Sequence, residues 1–194
     1  MMNQVLHRIW QRIEDCLQEN IPSAWEGLNP PATEEAIIAL EQALNIRLPD
    51  DVRDSYLRHN GQDSQAPWIF AGWEWHSIER IQEEWTSWNE VLEDGAIDDI
   101  ENDGDGQIFR KDWWHPKWIP LTSDPGGGNH QCLDLAPGPQ GTMGQIITMW
   151  HDDADRRLLA NSFTDFLEQF ANGLEAGEYI YSEEYNAIVT LDEI

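Results

Sequence analysis

Apolar residues recur along the N-terminal half of the chain at spacings that predict helices. Over residues 5–17 they follow the helical period, which predicts an amphipathic helix that ends before Pro22. Thr33 can cap a second helix, and a third can follow Pro49 because proline is tolerated in the first turn of a helix. A further apolar face over residues 78–92 predicts a longer helix that starts from Ser77 and runs towards Gly95.

Strand-forming residues become frequent in the second half of the chain. The segments "WIPLTSD" (118–124), "HQCLDL" (130–135) and "GQIITMW" (144–150) each predict a strand, with turn-forming residues between them. The earlier segment "PWIFAGWEWH" (67–76) is also rich in strand formers. Because short turns favour antiparallel neighbours, the sequence predicts a mostly antiparallel sheet.

The last helical pattern lies near the C-terminus. Apolar residues over 163–170 are spaced i, i+3, i+4 and i+7, Ser162 can cap the helix, and the pattern closes near Gly173. The predicted fold class is α+β, with N-terminal helices, a central mostly antiparallel sheet and a C-terminal helix packed on it. The residues predicted to form the core are Leu40, Leu48, Tyr56, Trp118, Ile119, Ile146, Phe163 and Phe166.

The chain carries a strong negative charge. Its 194 residues include 11 Lys and Arg against 37 Asp and Glu, which gives a formal net charge of −26 at pH 7. This charge excludes nucleic acid and an anionic membrane as natural partners and favours a basic protein. Apolar residues still make up 40% of the chain and include 11 Trp, so we expect a folded domain.

Two features of the sequence indicate a compartment. Residues 1–16 are interrupted by charged side chains, so neither a signal peptide nor a membrane span is predicted there. Only two cysteines occur, Cys16 and Cys132, which does not indicate a disulfide framework. We therefore expect a cytoplasmic protein.

The negative charge is concentrated in two segments. Residues 81–109 contain ten acidic residues and residues 158–194 contain eight, and neither segment contains Lys or Arg. A solvated face that keeps the domain soluble is enough to explain either segment. Tryptophans beside the first segment favour a protein interface, although most tryptophans in a domain are core residues. The residues predicted to bind a partner are Asp98, Asp99, Glu101, Asp103, Asp105, Trp113 and Trp114.

The stretch "IENDGDGQIFRKD" (100–112) has some features of a calcium-binding loop. Asp103 and Asp105 occupy suitable positions, but Phe109 offers no side-chain oxygen and the last ligand position holds the short Asp112. Two prolines follow where such a loop needs a helix. We interpret the stretch as a solvated acidic loop, and we predict neither a metal nor another cofactor.

The sequence contains no recognisable catalytic constellation. "HDDAD" (151–155) precedes two arginines, which favours a charged turn with local ion pairs over a metal site. His76 or His130 could act as a general base, but no nucleophile or oxyanion device can be named with either. Cys132 fits a buried strand position. We therefore predict that the chain is not an enzyme.

Three blocks of the sequence together resemble the SUKH superfamily, which includes the yeast Smi/Knr cell-wall-synthesis regulators and many bacterial proteins. The blocks are residues 39–62, 114–153 and 161–170, and their order and spacing agree with the family. The resemblance implies an α+β fold with a central sheet and no catalytic site. The matching residues are Glu41, Leu48, Pro49, Tyr56, Asn60, Gly61, Trp118, Ile119, Pro120, Asp124, Asp134, Gly144, Phe163 and Leu167.

The resemblance also suggests how the chain is divided. We expect a single SUKH-like domain over residues 1–173, with an acidic insert at 81–112. Residues 174–194 would then be an acidic C-terminal extension. The insert lies where members of the family vary and the extension lies outside the resemblance, so these are the parts expected to set specificity.

The resemblance implies a function through its bacterial members, which are mostly immunity proteins. On this basis we expect a non-catalytic cytoplasmic immunity protein that binds and neutralises a basic toxin of the nuclease or deaminase class. Compact carboxylates would complement the positively charged active site of such a toxin. The alternative is an intracellular scaffold or regulator of cell-wall synthesis, as the yeast members suggest.

Overall fold

Helices come first along the chain, strands follow, and a long helix precedes the last two strands. The computed structural model describes residues 3–191. Among these residues, no helix combines the length and the apolar composition needed to cross a bilayer. The elements are α1 Gln4–Asn20, α2 Pro22–Glu26, α3 Glu34–Ala43, α4 Asp50–Tyr56, β1 Glu74–Trp75, α5 Ile78–Glu93, β2 Trp118–Pro120, β3 Thr122–Ser123, β4 His130–Asp134, β5 Gln145–Met149, β6 Leu158–Ala160, α6 Phe163–Ala176, β7 Tyr179–Ser182 and β8 Ala187–Thr190.

The predicted α+β class and antiparallel pairing are confirmed. The main sheet has the order β2-β4-β5-β6, and β1-β3 and β7-β8 form two smaller antiparallel pairs. Strands β4 and β5 pair along their whole length, from His130 opposite Met149 to Asp134 opposite Gln145. All residues of these two strands are buried, so the main sheet is covered on both faces.

Alternate residues of the sheet therefore enter two separate cores. Leu133 and Ile146 point into the large core, which α1, α3, α4 and α6 complete. Cys132 and Ile147 point into a smaller core on the other face, together with Trp118. Side chains from α5 and from the acidic insert cover this second core. The insert thus covers one face of the sheet in addition to carrying negative charge.

The predicted helix starts are confirmed by hydrogen bonds at the caps. The side chains of Thr33, Ser77 and Ser162 accept hydrogen bonds from backbone N–H groups in the first turns of α3, α5 and α6. Helix α6 extends beyond the predicted end at Gly173 and closes instead at Gly177, which has a φ of 70°.

Most of the predicted core is confirmed. Seven of the eight residues are buried: Leu40, Leu48, Tyr56, Trp118, Ile119, Ile146 and Phe163. Phe166 is only half-buried, because it lies at the edge of the large core with its ring 5.1 Å from that of Phe70. The helical spacing was right, but it could not show that this edge of α6 faces a surface depression.

Several residues that carry the resemblance hold the scaffold together. The carboxylate of Glu41 accepts a hydrogen bond from Leu48 N at 2.9 Å and forms an ion pair with Arg53 at 2.7 Å. The side chain of Asn60 accepts a hydrogen bond from Ile78 N at 2.9 Å, at the start of α5. The first sequence block therefore fixes the positions of α3, α4 and α5 relative to one another.

The segment 67–76 differs from its prediction. Only Glu74 and Trp75 form a strand, because Ala71 and Gly72 have φ values of 50° and 81° and reverse the chain. Phe70 and Trp73 pair across this turn. The sequence analysis also missed α2 and β6, which are short elements without a clear periodicity.

The predicted acidic extension at 174–194 carries structure that was not expected from its charge. Up to Leu191, the last residue described, it contains the hairpin of β7 and β8. Ile188 in this hairpin is fully buried in the large core, and its N–H donates a hydrogen bond to Trp68 O at 2.8 Å. The consecutive apolar residues Ala187, Ile188 and Val189 are all buried, and their burial outweighs the acidic composition around them.

Candidate partner-binding grooves

The stretch 100–112 is a closed loop organised by a buried asparagine. Glu101 and Asp112 pair across the base of the loop. The Asn102 side chain donates hydrogen bonds to the carbonyls of Arg110 and Asp112, at 2.8 and 2.6 Å, and accepts one from Gly104 N at 3.0 Å. An amide that can donate and accept serves this position, whereas a carboxylate could only accept.

The carboxylates of this loop point to solvent rather than to one another. Asp98, Asp99, Glu101, Asp103 and Asp105 are all exposed. In the part of the chain that the structure describes, no group of three or more His, Cys, Asp or Glu side chains is placed to hold a metal ion. The prediction that this stretch binds no calcium stays a prediction, and so does the prediction that it binds a partner.

A groove of about 620 Å³ lies beside this loop, and we call it the loop groove. Asp98, Glu101 and Asp112 line it together with Arg110 and Lys111. The Lys111 ammonium donates a hydrogen bond to Gly104 O at 2.6 Å, and Arg110 forms an ion pair with Asp112 at 2.7 Å. The loop groove is therefore of mixed charge, although the sequence of residues 81–109 contains no Lys or Arg.

The two predicted tryptophan anchors have different positions. Trp114 is 1% exposed, and its ring stacks on that of Trp88 with 5.5 Å between ring centroids. This tryptophan belongs to the second core and offers no surface to a partner, because the insert needs an apolar side chain to cover the sheet. Trp113 is half-buried, with the Arg156 guanidinium 5.3 Å from its ring centroid.

Arg156 is a buried cation that joins the turn at 153–155 to Trp113, the residue after the insert. It is 3% exposed and donates hydrogen bonds to the carbonyls of Trp113, Asp153 and Asp155 at 2.8 to 2.9 Å. Burial lowers the pKa of Arg156 to about 10, still far above neutral. The neighbouring Arg157 forms the local ion pair predicted for this turn, with Asp155 at 2.5 Å.

The candidate general bases are shielded from solvent. His76 and His130 are both fully buried, and burial lowers their pKa values to about 3 and about 4. His130 Nε2 accepts a hydrogen bond from Trp88 Nε1 at 3.0 Å, so its Nδ1–H donates to Thr122 O at 2.8 Å. Burial also raises the pKa of the Cys132 thiol. These three groups are neutral parts of the cores and line neither groove.

A second groove, of about 540 Å³, is aromatic, and we call it the Trp73 groove. The rings of Trp73 and Trp150 lie side by side there, 5.8 Å apart and inclined by 59°. Tyr185, which is 56% exposed, lines the same groove. Asp124 and Glu184 supply carboxylates, and the lining contains no Lys or Arg within residues 3–191.

The sequence analysis did not find the Trp73 groove because its residues come from distant segments. Trp73 follows the turn at Gly72, Trp150 follows β5, and Tyr185 lies between β7 and β8. The β7–β8 hairpin places Tyr185 beside the two tryptophans, whose own rings lie side by side. Each tryptophan stands directly after or before a turn, a weak signal of exposure that does not indicate which residues meet.

Comparison with known proteins identifies the family of this chain. Residues 31–169 match the SMI1 / KNR4 family (SUKH-1). The chain belongs to this family.

Fungal members of the SMI1/KNR4 family resemble the chain over most of its length. It is 33% identical over 192 residues to the cell wall biosynthesis/cell cycle regulator smi1 of Schizosaccharomyces pombe, an alignment that covers 92% of this chain and 38% of the relative. It is 28% identical over 215 residues to the glucan synthesis regulatory protein of Neurospora crassa, covering 92% of the chain and 40% of the relative. It is 27% identical over 205 residues to the cell wall assembly regulator SMI1 of Saccharomyces cerevisiae, covering 88% and 40%. The chain thus spans 38 to 40% of the length of these curated relatives.

These relatives correct the functional prediction. The expectation of a toxin-neutralising immunity protein is wrong, because the relatives are named as regulators of the cell wall and of glucan synthesis. They support the alternative instead. Negative charge and the lack of a catalytic motif are expected of any domain that binds basic proteins, so neither feature could separate the two functions.

Proposed function

We propose that this chain is a non-catalytic protein-binding domain of a regulator of cell-wall synthesis. The observation that carries the proposal is the match of 92% of the chain to a cell wall regulator of which it spans 38%. On this proposal the domain serves such a regulator by binding other proteins. The free thiols of Cys16 and Cys132 favour a reducing cytoplasm as its location.

The distribution of reactive and exposed groups supports a binding role. The side chains with catalytic potential, His76, His130 and Cys132, are enclosed in the cores. The two grooves instead present aromatic rings, carboxylates and a proline-containing wall to solvent. Aromatic side chains beside charges are typical of surfaces that bind protein segments.

A chimera tests the proposed function. The matching region of the Saccharomyces cerevisiae relative would be replaced by this chain in cells that lack the native gene. We expect the chimera to restore growth in the presence of a dye that binds the cell wall. Gly61→Val in the chimera is the control, since a Cβ at Gly61 would lie 2.4 Å from His76 O and disrupt the scaffold. A chimera present at the normal level that leaves the cells as sensitive as the deletion would contradict the proposal.

A further inference from the structure

We propose that the Trp73 groove binds an extended segment of a partner protein that carries Lys or Arg. This inference rests on the proposed function, since it names the class of partner that the domain would position. It differs from the sequence-based expectation, which placed the partner on the acidic residues 98–105. The shape, the charge and the free hydrogen-bond donors of the groove support it independently.

The aromatic wall gives the groove its affinity for a cation and for apolar stems. Trp73 and Trp150 present adjoining indole surfaces, and Tyr185 is exposed beside them. The face of an indole attracts the ammonium of Lys or the guanidinium of Arg, and the methylene stem of either residue packs on the ring. Such rings are rigid, so little conformational entropy is lost when a segment binds.

The charges of the groove select a basic segment. Asp124 is held in place by Asn129, whose side-chain Nδ2 lies 2.7 Å from the carboxylate. Glu184 is exposed, and neither carboxylate takes part in an ion pair within the described residues. Since the lining there contains no Lys or Arg, these carboxylates lack the local compensation found in the loop groove. A Lys or Arg side chain of a partner would balance the negative charge of these carboxylates.

Free donors favour an extended main chain as the occupant. Within residues 3–191, no hydrogen bond uses the indole N–H of Trp73 or of Trp150. An extended segment presents carbonyl oxygens along its length, and tryptophan N–H groups at aromatic grooves donate hydrogen bonds to such oxygens. A helix would keep its carbonyls for its own hydrogen bonds.

The walls of the groove are held in place by the backbone. Phe70 and Trp73 exchange hydrogen bonds at 3.2 and 3.1 Å across the turn, and Gly72 N donates to Ile188 O at 2.7 Å. Ala71 in this turn has a φ of 50°, which is uncommon for a residue with a Cβ. The aromatic wall is thus preorganised before a partner arrives, which lowers the cost of binding.

A labelled peptide tests the groove directly. The probe is a short synthetic peptide in which Lys alternates with Ala and Pro, and the matched probe has Glu in place of every Lys. Fluorescence anisotropy at physiological salt should show saturable binding of the first probe and none of the second. In proton–nitrogen spectra, the indole N–H signals of Trp73 and Trp150 should shift more than those of the buried Trp10.

Variants decide whether binding occurs at this groove. Trp73→Ala should weaken binding about tenfold or more, as expected for a central anchor. Glu184→Gln should weaken it about threefold, and Asp98→Asn in the loop groove, with the same change in charge, by less than about twofold. Equal binding by Trp73→Ala and wild type would overturn the inference. An equal loss from Glu184→Gln and Asp98→Asn would do the same, because it would show attraction to net charge alone. Glu184 is exposed, so its variant keeps the test valid even if Trp73→Ala lowers the melting temperature.

Three further outcomes separate the inference from its alternatives. Analytical ultracentrifugation could show a dimer that Trp73→Ala converts to a monomer. The groove would then bind a second copy of the chain, and the inference of a basic segment from a partner protein would be overturned. If the chimera fails to restore growth while peptide binding still depends on Trp73, the proposed function is contradicted and the inference about the groove is supported. If the chimera restores growth while peptide binding does not depend on Trp73, only the inference about the groove is contradicted.

Discussion

The phenol oxygen of Tyr56 lies 3.0 Å from the indole nitrogen of Trp75, and both side chains are fully buried. The same hydroxyl donates a hydrogen bond to His76 O at 3.0 Å. The Tyr56 hydroxyl, at the end of α4, is thereby the hydrogen-bond partner of the Trp75 indole N–H in β1 and of the carbonyl of His76, the next residue. This tyrosine is one of the residues on which the family resemblance rests, and its role is to join helix to strand.

Tyr56→Phe should lower the free energy of unfolding by about 1 to 3 kcal/mol, because it leaves a buried N–H and a buried carbonyl without partners. Urea titration followed by far-ultraviolet circular dichroism measures the change. Tyr181→Phe is the matched control, since the hydroxyl of Tyr181 donates a hydrogen bond to the exposed Asn186 side chain and to no other residue in the described part of the chain. Equal stability of the two variants would show that the buried hydroxyl does not join α4 to β1.

Gly61→Ala should be strongly destabilising, by about 2 kcal/mol or more, for two physical reasons. Gly61 has a φ of 66°, and a Cβ there would lie 2.4 Å from His76 O. Gly127→Ala is the control, because Gly127 has a φ of 76° with no atom within 4 Å of the added Cβ. The control should lose only about 1 kcal/mol. Similar melting temperatures for the two variants would rule out the close approach at Gly61.

His130 should make stability depend on pH. Burial lowers its pKa from 6.5 to about 4, so the unfolded chain binds the proton more tightly than the folded one. The stability that neutral His130 contributes is complete above pH 6.5 and is lost as the pH falls towards 4. The destabilisation caused by His130→Asn should therefore shrink between pH 7 and pH 4.5, by at most about 1.4 kcal/mol per pH unit. Ile147→Val, a core change without a titrating group, should show a constant difference, and a constant difference for His130→Asn would contradict the account.

Arg156→Met should destabilise the fold by about 2 to 4 kcal/mol, because three carbonyls lose their donor and two tryptophan rings lose the cation between them. Arg157→Met should change stability by less than about 0.5 kcal/mol, since the Arg157 side chain is 72% exposed in a surface ion pair. Thermal unfolding measures both. If the two substitutions destabilise the protein equally, the buried guanidinium does not hold the turn at 153–155 against Trp113.

The sequence predicted those parts of the fold that have a strong local cause. The caps Thr33, Ser77 and Ser162, and the turn residues that bound the strand-forming segments, act within a few residues, so α3, α5, α6, β4 and β5 could be predicted. The hairpin at 179–190 could not, because its short apolar run lies among charged residues and is buried only through contacts with distant segments such as the backbone of Trp68. Phe166 was assigned to the core because periodicity gives a helical face but not the depth of that face.

The candidate site was harder to predict than the fold. The acidic residues 98–105 are exposed as expected, but Arg110 and Lys111 return to the same groove through the closure of the loop by Asn102. Trp114 could not be told from an anchor, because a tryptophan over a sheet and a tryptophan at an interface have the same sequence context. The Trp73 groove depends on contacts between segments far apart in the chain, and net charge indicated only that a partner would be basic.

Synthesis of cell-wall glucan in the chimeric Saccharomyces cerevisiae cells tests the central claim most directly. The incorporation of labelled glucose into wall glucan would be compared among the deletion strain, the wild-type chimera and a chimera that carries Trp73→Ala with Glu184→Gln, at equal protein levels. The account predicts that the wild-type chimera restores incorporation to near the native level and that the groove variant restores much less. Incorporation by the wild-type chimera no higher than that of the deletion strain would contradict a role of this domain in cell-wall synthesis.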